Sequence, residues 1–111
     1  MWDLVKVLLT IVSVVLLLLA LGLGVLIPFQ RVDPNLHGML AFLAGVLAIG
    51  IHMRIGSGLD FLALVLLIAA IGIGMTLSGA GMSSALHLWV AAFAVVISVF
   101  AQMRNVFGDA K

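Results

Sequence analysis

Three histidines and one repeated interval carry the chemistry open to this chain. His37 and His87 stand 50 residues apart, each preceded by leucine, and the same interval relates Ala20-Leu21-Gly22-Leu23-Gly24 to Ala70-Ile71-Gly72-Ile73-Gly74. It also relates Ala41, Ala44 and Val46 to Ala91, Ala94 and Val96, and Met53-Arg54 to Met103-Arg104, without a gap. Leucines repeat by chance in an apolar chain, but histidine and arginine are rare in one, and both fall in register. The interval therefore reads as two copies of one helical hairpin, each presenting one histidine at the same place. Neutral imidazole is a metal ligand, and two of them at one depth supply the axial pair that a haem iron takes.

A stripe of small side chains follows each histidine: His37, Ala41, Ala44, Ala48 in one copy and His87, Ala91, Ala94, Ser98 in the other. Steps of four, three and four residues keep each stripe on one helical face. Small residues leave room for a flat tetrapyrrole where leucine or phenylalanine would fill it, although the same stripes also let membrane helices pack closely. A ligating imidazole needs its second nitrogen held by an acceptor, and Asp33 and Ser83, each four residues before its histidine, are placed for this. Arg31, with Gln30 and Asn35, lies where propionates would emerge. The expectation is one haem b with His37 and His87 as iron ligands, bordered by Ala41, Ala44, Ala91 and Ala94, with Arg31 at its edge. His52 lies about 22 Å below His37 along a helix. That spacing resembles the two-haem arrangement of bc-complex cytochrome b, but the residue 50 further on is Gln102, a poor haem ligand. No second haem is expected, and His52 reads as an interface histidine beside Arg54.

The elements that must position these residues are set by composition. The chain is 66% hydrophobic and 8% charged, with a mean hydropathy of +1.45, which excludes a soluble domain and disorder. Four apolar stretches, 4–27, 36–53, 59–77 and 85–103, each approach the ~20 residues needed to cross hydrocarbon, where only helices satisfy their own backbone. Pro28 and Pro34 separate the first two, Gly56-Ser57-Gly58 the middle two, and Ser78-Gly79-Ala80-Gly81 the last two. Such short connections force antiparallel neighbours. The fold class is all-α, an integral membrane four-helix up-down bundle and a single domain over residues 1–111, with repeat one at about 4–54 and repeat two at about 59–104.

Lys6, Arg54, Arg104 and Lys111 share one end with the termini, whereas the loops at the other end contain only Arg31 as a cation. The termini are therefore expected in the cytoplasm, in the cytoplasmic membrane of a bacterium or archaeon. Ala20-Leu21-Gly22 has the small-x-small form of a signal-peptide cleavage site, but removing the first helix would leave one repeat unpaired. With no cysteine, disulfides and thiolate metal sites are excluded. Trp2 and Trp89 read as interfacial or packing aromatics, and Asp3 and Asp60 as acids suited to helix N-termini.

A histidine opening one helix, a histidine-free helix, then Leu86-His87-Leu88 opening the next resembles one four-helix half of haem A synthase. The resemblance implies haem b ligation by His37 and His87. It does not extend to the catalytic glutamate of that family, since Asp33 and Pro34 precede His37, nor to the cysteine pair of some members. Length and span number also suggest the small multidrug transporters, but their first helix needs a membrane-embedded glutamate, and here that helix has only Lys6, Thr10 and Ser13 as polar side chains. The function expected is one-electron transfer by a small b-type membrane cytochrome, rather than catalysis. Its partners would be lipid and a quinol or redox subunit of a respiratory complex, with no nucleic acid. The alternatives are a cofactor-free structural subunit and a haem-modifying enzyme.

Overall fold

Long runs of leucine, valine, isoleucine and alanine give the backbone no polar partner but itself, and each run closes into a helix. The computed structural model describes the backbone of residues 2–26, 34–80 and 84–108, and within these the side chains of 3–26, 35–75 and 85–108. Four helices result: α1 (Trp2–Leu26), α2 (Pro34–Ile55), α3 (Gly58–Ala80) and α4 (Ser84–Phe107). All four are long and apolar enough to cross a membrane.

Pro34 is the first residue of α2, where its missing N–H would have no intrahelical partner anyway. Between α2 and α3, Gly56 adopts a φ of 74° and its N–H bonds the His52 carbonyl at 2.9 Å, an αL stop that a side chain would strain. Ser57 then caps α3 reciprocally with Asp60. The Asp60 N–H donates to Ser57 Oγ, and the Ser57 N–H donates to Asp60 Oδ2, both at 3.2 Å. Of the four helices, α3 and α4 run furthest beyond the apolar stretches. The helix of α3 takes in Ser78-Gly79-Ala80, expected as a breaker, and α4 continues past Met103 through Arg104 and Asn105, because Asn105 turns into the bundle and is buried.

Each helix packs on its neighbours in chain order, α4 closes on α1, and α2 meets α4 across the middle, as in an up-down four-helix bundle. The two hairpins, α1–α2 and α3–α4, are packed more closely within themselves than against each other. The bundle is 47 Å long, enough to traverse ~30 Å of hydrocarbon. Its interior is built from small residues. Ala44, Ala48 and Ala94 are fully buried in one cluster with Leu17, Leu67, Ala70 and Val95. Large apolar side chains such as Leu8, Ile11, Phe42, Phe61, Phe93 and Phe100 are more than half exposed. Small and polar inside with bulky apolar outside is the reverse of a water-soluble protein, and points to an integral membrane protein.

Candidate functional site

His37 enters the bundle one turn into α2 and lies against α1, its neighbour in the hairpin. A Cβ on Gly24 would stand 2.8 Å from His37 Cε1, so only glycine lets the ring lie there. His37 Nδ1 donates to the Ala20 carbonyl at 2.8 Å. A carbonyl only accepts, so Nδ1 carries the hydrogen and a neutral His37 has its lone pair on Nε2. His87 repeats the placement on α3, where a Cβ on Gly74 would stand 2.9 Å from its Cε1. The carbonyl that His87 meets on α3 is that of Ala70, the counterpart of Ala20. The glycines expected to ease helix approach thus seat the two imidazoles, at the start of helices whose small stripes face inward.

The two rings come together across the bundle, with centroids 6.3 Å apart and planes at 76°. A metal between two imidazoles needs two bonds of about 2.0 Å and about 1.1 Å from each nitrogen to its ring centre, or about 6.2 Å in all. The observed separation matches that sum, and it is also that of two rings in edge-to-face contact. The stripes below divide in two. Ala41 and Ala91, one turn away, are half-buried, whereas Ala44 and Ala94 are sealed in the core. The sealed part of each stripe leaves no room for a flat ring and serves helix packing. Arg31, Asp33 and Ser83, expected around the histidines, lie outside the described residues. The acceptor that holds His37 is the Ala20 carbonyl, from the neighbouring helix.

At the opposite end, the structure assembles a polar network from all four helices. His52 is 1% exposed and turned inward, which overturns its reading as an interface histidine beside Arg54. Its Nδ1 bonds Asp60 Oδ1 at 2.6 Å and its Nε2 bonds Ser98 Oγ at 2.7 Å, so both ring nitrogens are engaged. Asp60 Oδ1 also accepts from Asn105 Nδ2 at 3.0 Å, and Oδ2 accepts from the N–H and hydroxyl of Ser57. These donors fill the lone-pair capacity of an ionised carboxylate. Ser98 Oγ accepts from Gln102 Nε2 at 3.1 Å, Ser57 Oγ accepts from Arg104 at 3.0 Å, and Lys6 Nζ donates to the Asn105 carbonyl at 3.1 Å. Sequence reasoning placed Asp60 and Ser98 separately and missed their meeting. The available signal was the Ser57-x-x-Asp60 capping pattern, together with the exchange of Thr10 for Asp60, and of His52 for Gln102, across the interval of 50.

No protein-family model, curated protein or solved structure matches this chain. The likeness to haem A synthase accordingly rests on the residues that suggested it and on nothing further.

Proposed function

We propose that the chain is a duplicated helical hairpin that serves as a small b-type membrane cytochrome, with one haem b held between α2 and α4 by His37 and His87. The observation that carries this reading is the pair of imidazoles 6.3 Å apart, one of them fixed by the Ala20 carbonyl in the tautomer that leaves Nε2 free to ligate. A bound haem would supply a one-electron couple. The chain's own residues bind and orient. Ala20 and Gly24 hold the His37 ring, Gly74 admits that of His87, and Ala41 and Ala91 border the site. Arg31 belongs to the proposal as a partner for the propionates. Electron exchange would run with a quinol or a redox subunit at this end, which the positive-inside rule makes the outer one.

An absorption spectrum of the purified protein, as isolated and after dithionite, tests the assignment. A Soret band and a sharp reduced α-band, both absent from His37→Ala and from His87→Ala and retained in His52→Gln, are expected. Protein that stays colourless after reconstitution with haem sinks the reading. It would favour the second one, a cofactor-free structural subunit, which has its own support in the complete burial of Ala44, Ala48 and Ala94.

A further inference from the structure

The network at the end that bears the termini lies beside buried polar oxygens that no protein group pairs. Thr10 Oγ1, Ser13 Oγ and Gln102 Oε1 are buried without hydrogen-bond partners. Unpaired buried oxygens are costly, so three in one place need a reason. Their place follows from helix register. Lys6 meets Asn105, and α1 and α4 run antiparallel with equal rise, which puts Thr10 at the level of Ala101 and Gln102, and Ser13 at that of Ser98. Lys6, Thr10 and Ser13 follow one another on one face of α1, at spacings of four and three. The orphaned oxygens of α1 therefore lie at the level of Ser98 and Gln102.

The hydrogen bonds already present fix where hydrogen can and cannot be added. Asp60 takes the hydrogen of His52 Nδ1, so a neutral His52 accepts the Ser98 hydroxyl at Nε2. Adding a proton reverses the second bond. Ser98 passes its hydroxyl hydrogen to Nε2 and takes another from a neighbouring water, which is itself reprotonated from the solvent. The imidazolium then donates to Ser98 Oγ, and the serine hydroxyl needs a new acceptor. Gln102 Nε2 already donates to that oxygen and cannot serve, whereas Ser13 Oγ, Thr10 Oγ1 and Gln102 Oε1 can. Those oxygens can take the hydroxyl hydrogen, and Asp60 is in place to balance the charge.

We propose that His52, backed by Asp60, is a proton-loading site, filled through Ser98 from water that the unpartnered oxygens of Thr10, Ser13 and Gln102 would hold. The charged groups around it are Lys6 from α1, Asp60 from α3 and Arg104 from α4, with Arg54 on the exposed face of α2 itself. Each proton taken up comes from water and is returned to it, with no change in any covalent bond between heavy atoms. The site makes no use of haem and stands whether or not the cytochrome reading does.

The test is nitrogen NMR of the full chain in lipid bilayers, with 15N-labelled histidine, no added haem, and the His52 signals assigned by their loss in His52→Gln. Between pH ~9 and ~5, His52 should pass reversibly from neutral with the hydrogen on Nδ1 to imidazolium. The double substitution Thr10→Val, Ser13→Ala removes two of the three alternative acceptors and leaves every described hydrogen bond of His52 intact. It should displace the transition by at least about tenfold in proton concentration. Asp60→Asn should displace it as far or abolish it. A His52 that keeps one neutral form over the whole range overturns the proposal. So does a transition that moves by less than that in the double variant, and this holds even if Asp60→Asn fails to fold.

Discussion

At the histidine end of the bundle, positions 50 residues apart carry the same residue: Ala20 and Ala70, Gly24 and Gly74, His37 and His87, Ala44 and Ala94. At the end that bears the termini they do not, since Thr10 answers to Asp60, Ser13 to Ala63, Ala48 to Ser98 and His52 to Gln102. All eight of these last positions are buried nonetheless. Backbone placement is common to the two ends, and the chemistry is not. Two identical groups facing each other suit something shared between them, such as a metal. Unlike groups in a row have a donor side and an acceptor side, which gives a hydrogen-bond chain a direction. The same helices can serve one use at each end because Leu17, Leu67 and the alanines between keep the two polar regions apart.

The largest effect should fall on the unlike end. His52→Leu strips Asp60 of one of its two partners at Oδ1 and leaves a buried carboxylate undercompensated, at a cost of about 3 kcal/mol. Unfolding followed in detergent measures it, and a loss below ~1 kcal/mol would mean that the network contributes little to the fold. The like end is sharpened by paired glycine substitutions. Gly24→Ala and Gly74→Ala should each cost about 1–2 kcal/mol and displace a ring, to similar extents. Gly22→Ala and Gly72→Ala, with open space at the added methyl, should stabilise by up to ~1 kcal/mol. Matching signs in the two sets would remove the ring-seat role from Gly24 and Gly74. The smallest effect is expected for Thr10→Val, which deletes an orphaned hydroxyl and should change stability by less than ~0.5 kcal/mol in the same unfolding assay. A loss of several times that would show a hydrogen bond already formed there.

Much of this was legible in the residues. Hydropathy marks four helices because lipid and backbone together permit little else, and Pro34 and Gly56 mark ends because their backbone limits are local. The in-register histidines were visible for the same reason, since helices of equal length bring equal offsets to equal depth. Partners drawn from another helix were not visible. Asp60 next to a turn looks like an ordinary helix start, and its capping role is local and correct, but the same carboxylate also reaches His52 and Asn105. Likewise His52 beside Arg54 has the pattern of a membrane interface, yet the two differ by about 200° around the helix, so one points in and the other out. The end of α4 was misplaced because a window that counts apolar residues stops at Arg104, whereas Asn105 is held by its contacts with Lys6 and Asp60.

The cap that joins Ser57 to Asp60 also bears on how the chain is made. Asp60 is the one acid buried among the described residues, and two of its donors are only three positions away on the same chain. As synthesis proceeds from the N-terminus, that turn emerges long before residues 98–105, which complete the network. The carboxylate can therefore leave water already wrapped in donors of its own segment, and meet His52 and Asn105 as later helices arrive. Replacing Ser57 would fall less on the finished bundle than on the yield of chains that reach it.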